Sequence, residues 1–214
     1  MKKNVEIQNL QQVTDLVHIQ FEVRTTARDQ ALKQSRMVTR CAANAIRAIH
    51  REESDLALDF LNQASQLVES LKQDLGTFPD LFFAGYTQDA IKEYVEANIT
   101  CALITNKPLP TFEEMGVECA TYMNGLAETD GELRRRCLDI LRQGYSQEAE
   151  RLLSCMEEIY TVLVTIDYPD AVTSGLRRQT DIVRSLLERT RGDLTLSLRE
   201  QKLIDVMEKH MKIL

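Results

Sequence analysis

The chain has no tryptophan, and only 8 glycines and 4 prolines in 214 residues. So few helix breakers leave room for long, uninterrupted helices. No segment alternates with the period of two that a half-buried strand requires. No apolar run approaches the ~20 residues needed to cross a bilayer. The N-terminus is polar, unlike the charged-then-apolar pattern of a signal peptide, so no membrane partner and a cytoplasmic location are expected. The five cysteines (Cys41, Cys101, Cys119, Cys137, Cys155) are odd in number with no close pair. That argues against a disulfide framework and a thiolate zinc site, and leaves reduced core thiols. Three scattered histidines (His18, His50, His210) speak against a His-based metal site. There is no P-loop, dinucleotide-binding glycine fingerprint or nucleophile elbow, and no set of aromatics on a sheet such as a single-strand-binding platform uses.

What is present is ordinary globular material, 43% hydrophobic and 28% charged, with no linker to divide it. One domain over residues 1–214 is expected. From about Val5 to Arg51 there is neither Gly nor Pro, and apolar residues recur at helical spacing, which predicts one very long helix or two nearly coaxial ones. Ser54 is positioned to cap a second helix that Gly76 and Pro79 end near Leu75. The connection from Thr77 to Gly85 holds three of the six phenylalanines and reads as a buried connection or a subunit contact. A third helix starts near Thr87 and stops before Pro108. Thr111-Phe112-Glu113-Glu114 has capping-box form and is expected to open a long helix reaching about Gln143. Ser146 caps a helix to about Ile166, and a last one runs from about Ser174 towards Lys212 with a bend near Gly192. The fold class is therefore all-α, with six or seven helices.

Charge is distributed unevenly. Residues 24–51 carry seven Lys or Arg against the single acid Asp29, a local charge of +6 in a chain of −7, which leaves −13 elsewhere. Lys33, Arg36, Arg40, Arg47 and Arg51 fall within a stripe about 60° wide, opposite Val38, Ala42, Ala45, Ile46 and Ile49. Such a stripe binds a polyanion, or it pairs with acidic helices of a neighbouring subunit.

The acids show the opposite pattern. Asp89, Glu93 and Glu96 share one helix face around Tyr94, and the positions four residues from Glu93 are Asp89 and Ala97, so nothing local is expected to neutralise it. Glu128 and Glu132 repeat the arrangement on the later helix, and the two stripes are expected to face one another. Converging carboxylates without histidine suit the hard cations Mg²⁺ and Mn²⁺, and such a centre suits phosphodiester hydrolysis. The bland alternative is a solvated Glu-rich face, with Glu132 paired to Arg135 and Arg136 at i+3 and i+4.

Two stretches carry a family resemblance. Glu93-Tyr94-Val95-Glu96-Ala97, followed about thirty residues on by Tyr122-Met123-Asn124-Gly125-Leu126-Ala127-Glu128-Thr129-Asp130-Gly131-Glu132-Leu133, resembles the translin/Trax family, and within it Trax (translin-associated factor X). Asp167-Tyr168-Pro169-Asp170-Ala171-Val172 with Gly175-Leu176-Arg177-Arg178, and Glu188-Arg189-Thr190-Arg191-Gly192-Asp193-Leu194, look like the compact archaeal members. The resemblance extends over essentially the whole chain, though the basic helix agrees mainly in character. It implies a translin-like helical subunit that closes into an oligomeric barrel, a homo-octamer being the expected form. It also implies binding of single-stranded RNA, with single-stranded DNA as a further ligand, and metal-dependent endoribonuclease activity. By position, Glu93, Glu96 and Glu128 are the implied catalytic acids. The same three with Glu132 are the implied ligands of Mg²⁺ or Mn²⁺, and Lys33, Arg36, Arg40, Arg47 and Arg51 are expected to hold RNA phosphates. Glu128 departs from the Asp of eukaryotic Trax by one methylene. Two other functions fit less of the pattern: a non-catalytic nucleic-acid-binding oligomer like translin, and an all-α nucleotide pyrophosphohydrolase of the MazG type, whose double-Glu motif is not obvious here.

Overall fold

The structure is a computed structural model that describes residues 7–211. The expected extension of the first helix to Val5 and of the last to Lys212 lies outside the described residues. Helix α1 (Leu10–His50) is a single element of 41 residues, about 60 Å long at 1.5 Å per residue. Helix α2 (Ser54–Asp74) returns along it. A single turn, α3 (Pro79–Phe82), leads into α4 (Gly85–Ile104). A second single turn, α5 (Phe112–Met115), precedes α6 (Cys119–Leu141), which is followed by α7 (Gln147–Leu163). The turn α8 (Asp170–Thr173) enters α9 (Leu176–Met211). The six long helices match the expected architecture, and the described residues contain no strand.

Packing follows the chain. α1 lies between α2 and α4, α4 lies on α6, and α6 is backed by α7 and α9. Ala42, Ala45 and Ala48 of α1 are fully buried, and their small side chains let α1 approach α2 and α4 closely, with Ile46, Ile49, Ala57, Leu61, Ala97 and Cys101 closing that layer. The main core holds Leu71, Ile91, Leu133, Leu152 and Leu163, each at most 1% exposed. Burying each such side chain stabilises the fold by about 1.5–3 kcal/mol.

Several local expectations change. Ser54 is the first residue of α2, Glu53 occupies the cap, and no side chain caps that helix. The capping box at Thr111 forms as read, but it opens only α5, because Gly116 adopts φ 60 and ends the helix after one turn. The following long helix starts afresh at Cys119. α9 runs through Gly192 without interruption. Ser146 caps α7 as expected, accepting from the Glu148 amide at 3.2 Å. All five cysteines are free, but Cys119 is exposed rather than in the core. In the phenylalanine-rich connection Phe78 and Phe82 pack against the core while Phe83 stays 58% exposed. No described helix is long and apolar enough to cross a membrane.

Candidate metal centre

The α4–α6 contact builds the centre. Tyr94, Val95 and Ala97 are the buried side of α4, which turns Glu93 and Glu96, one helical turn apart, towards the seam beside them. On α6 the close approach is at Gly125, where a Cβ would meet Val95 Cγ1 at 2.7 Å and the Lys92 carbonyl oxygen at 3.0 Å. Three residues on, and so on the same side of the helix, stands Glu128. Glu93, Glu96 and Glu128 each offer a carboxylate oxygen, and these oxygens all lie within 4.8 Å of one another. The two acidic stripes do face one another.

The electrostatics are those of crowded like charges with partial relief. Burial, then the charges of Glu93, Glu128 and Glu132, push the Glu96 carboxyl up to about 8. Glu93 is raised by burial and then by Glu128, against the pull of Lys92. Lys92 is the correction to the reading that nothing local neutralises Glu93. Its Nζ donates to Glu128 Oε1 at 2.8 Å and lies 3.8 Å from Asp89. Burial disfavours the Lys92 ammonium, but the bond to Glu128 and the surrounding acids outweigh this and raise its pKa. Gln179 Nε2 of α9 donates to the same Glu128 oxygen at 2.9 Å, so that carboxylate is held from two helices. Asp89 is exposed and does not join the cluster.

Glu132 stands beside the trio. His50 Nε2, in the last turn of α1, lies 2.6 Å from Glu132 Oε2, and Arg135 approaches the same oxygen at 3.4 Å. Burial pushes Glu132 up, but His50 and then Arg135 outweigh it and hold the carboxyl below its ordinary value. Arg136 does not pair with Glu132. It reaches Glu52 at 2.7 Å and the His50 carbonyl at 3.4 Å, fastening the α1–α2 turn to α6. Sequence reasoning missed His50, Lys92 and Gln179. His50 was set aside as one of three scattered histidines. The only local signal was Gly125 inside a helix, a mark of close backbone approach.

Lys33, Arg36, Arg40 and Arg47 are exposed on α1, opposite its buried face, and Arg51, just past its last residue, is exposed too. Arg51 pairs with Glu53 at 2.6 Å and Arg47 donates to Asn44 at 2.9 Å. Lys33, Arg36 and Arg40 make no ion pair among the described residues. Arg24 and Arg28, on the same helix, are paired with Asp80 and Asp29.

Three carboxylates against one ammonium, with the most enclosed acid favouring its proton, form a donor set of hard oxygens that fits Mg²⁺ or Mn²⁺. No protein-family model matches the chain. It is 35% identical over 191 residues to protein MJ0175 of Methanocaldococcus jannaschii, covering 88% of this chain and 82% of that one. Among solved structures, AfC3PO, a translin/Trax-like C3PO protein, is 32% identical with a TM-score of 0.80, covering 87% of this chain and 97% of its own. The chain belongs to the translin/Trax family. Within that family NeC3PO, in its apo form, shares the fold at a TM-score of 0.77 with 20% identity, over 91% of this chain and all of that one. AfC3PO has also been solved in complex with duplex RNA.

Proposed function

We propose that this translin/Trax-family protein is a metal-dependent endoribonuclease that cleaves single-stranded RNA by phosphodiester hydrolysis. The observation that carries the reading is the convergence of Glu93, Glu96 and Glu128 within 4.8 Å. These three would hold Mg²⁺ or Mn²⁺, with Glu132, kept ionised by His50 and Arg135, as a further oxygen donor. A divalent ion bound there supplies Lewis acidity to a phosphate oxygen and to water. Lys92 and Gln179 fix the orientation of Glu128. Lys33, Arg36, Arg40, Arg47 and Arg51 supply the cationic track for the RNA backbone, and copies of the chain close into a barrel that encloses it. RNA as ligand is supported by the AfC3PO complex, whose RNA is duplex.

A translin-like binder without catalysis is favoured by one observation: Lys92 and a proton on Glu96 would stabilise the acid cluster with no cation. One experiment separates the two. Labelled single-stranded and duplex RNA are incubated with the protein plus Mn²⁺ or a chelator. The nuclease reading expects metal-dependent cuts in the single strand that Glu93→Ala abolishes while RNA binding persists. Binding with no metal-dependent product, or equal cutting by Glu93→Ala, overturns it.

A further inference from the structure

A cleft of about 750 Å³ opens where the starts of α4, α6 and α9 meet α8. Its wall is shared with the acid cluster, because Lys92 and Gln179 line it and both donate to Glu128 Oε1. Its volume lies in the range of small-molecule sites, about 300–1,000 Å³.

The lining does not describe a phosphate hole. Asp89 and Glu118 balance Lys92 and Arg178. Between them sit exposed apolar side chains: Phe83 at 58%, Val172 at 61% and Ile182 at 43%. The Phe83 ring is steadied by edge-to-face contact with Phe82, centroids 5.2 Å apart. Three carboxamides complete the surface, each already oriented by the protein. Gln88 donates to the Phe82 carbonyl and accepts from Thr121. Asn124 donates to the carbonyls of Ala120 and Thr173, both at 2.8 Å, and Gln179 donates to Glu128. Asn124 Oδ1 and Gln179 Oε1 are thereby left as acceptors with no partner among the described residues. A planar, uncharged, aromatic group with N–H donors on its edge satisfies this surface, and a nucleobase is that group.

We infer that this cleft is a base subsite, taking the base of a ribonucleotide that flanks the phosphate at the Glu93–Glu96–Glu128 centre. The base lies against Phe83 and Ile182, with its edge towards Asn124 and Gln179. Recognition is tolerant of sequence, since every base offers a stacking face and the fixed acceptors can meet an amino or imino N–H. Arg178, exposed at the rim and without an ion pair among the described residues, faces the outgoing backbone. The inference rests on the proposed RNA chemistry of the neighbouring acids, but its test does not require cleavage.

The full chain is labelled at isoleucine δ1 methyls, Ile182 is assigned through Ile182→Val, and spectra are recorded in chelator. AMP and UMP are expected to shift the Ile182 methyl, whereas ribose 5-phosphate, which lacks the base, leaves it in place. Phe83→Ala, whose side chain is exposed and whose melting point should match the parent, is expected to weaken AMP binding about tenfold. Equal responses to AMP and ribose 5-phosphate, or no response at Ile182, overturn the subsite. So does an Ile182 shift that follows protein concentration and ignores nucleotide, which assigns the cleft to a second copy of the chain. Because no metal is present, a base-binding protein that cuts nothing would refute the nuclease reading alone, and a metal-dependent nuclease indifferent to AMP would refute the subsite alone.

Discussion

Glu96 and Asp130 are both acids whose carboxyls are pushed up to about 8, yet they sit in regions of opposite meaning. Glu96 faces the α4–α6 seam, and after burial its shift comes from Glu93, Glu128 and Glu132. Asp130 lies two residues beyond Glu128, on the far side of α6. It is fully buried, neither oxygen has a hydrogen-bond partner, and burial alone raises it. A raised acid is therefore not by itself a sign of function. The cluster gathers other oxygen donors within reach, whereas Asp130 lies in a packed core, where burial favours its proton. The difference lies in what a cation could gain from each.

The largest effect expected from this comparison is on cleavage. Glu96→Gln should lower Mn²⁺-dependent RNA cutting by at least about 100-fold, while Asp130→Asn stays within about threefold of the parent. A gel-based rate assay checks this, and similar losses in both variants would erase the distinction.

A smaller effect tests whether the cluster depends on helix spacing. Gly125→Ala forces a Cβ against Val95 and the Lys92 carbonyl, at an expected cost of about 1–3 kcal/mol. It should move Glu128 away from Glu93 and Glu96, so thermal melts should show the Mn²⁺-induced rise in melting temperature shrinking more than in Asp130→Asn. An undiminished rise would mean that the acids tolerate a wider seam.

A third test is of pH dependence. Each acid holds its proton in the folded chain to about 8, but releases it near 4.5 (Glu96) or 3.8 (Asp130) once unfolded. In that window the unfolded state binds fewer protons, so metal-free stability must fall as pH rises, by at most about 1.4 kcal/mol per pH unit and group. Melting temperatures from about pH 5 to 8 should decline in chelator. Mn²⁺ should remove the Glu96 share and Asp130→Asn the other; a flat profile in chelator contradicts both assignments.

Much of the candidate site was legible because it is local. Glu93 with Glu96 and Glu128 with Glu132 have helical spacing, and few breakers made the helices certain. The basic stripe on α1 was legible for the same reason, as angles around one helix are fixed by residue number. What escaped was everything joined across the chain. His50 meets Glu132 from 82 positions away and Gln179 meets Glu128 from 51, separations on which helical periodicity is silent. Lys92 escaped differently: attention to the i±4 neighbours of Glu93 passed over an adjacent residue whose long side chain reaches α6. The overextended sixth helix has a local cause, the left-handed Gly116 that ends α5.

By itself the sequence determined that the protein is helical, that one helix is basic on one face, and which acids share a face of α4 or of α6. Those properties follow from backbone geometry and residue order. Only the tertiary structure decided that Glu93, Glu96 and Glu128 converge while Glu132 is drawn aside to His50, and that Asp130 points into the core. These depend on how closely α6 approaches α4 at Gly125 and on which side chains then compete for each carboxylate. Distances of that kind are set by packing between helices, which no single helix encodes.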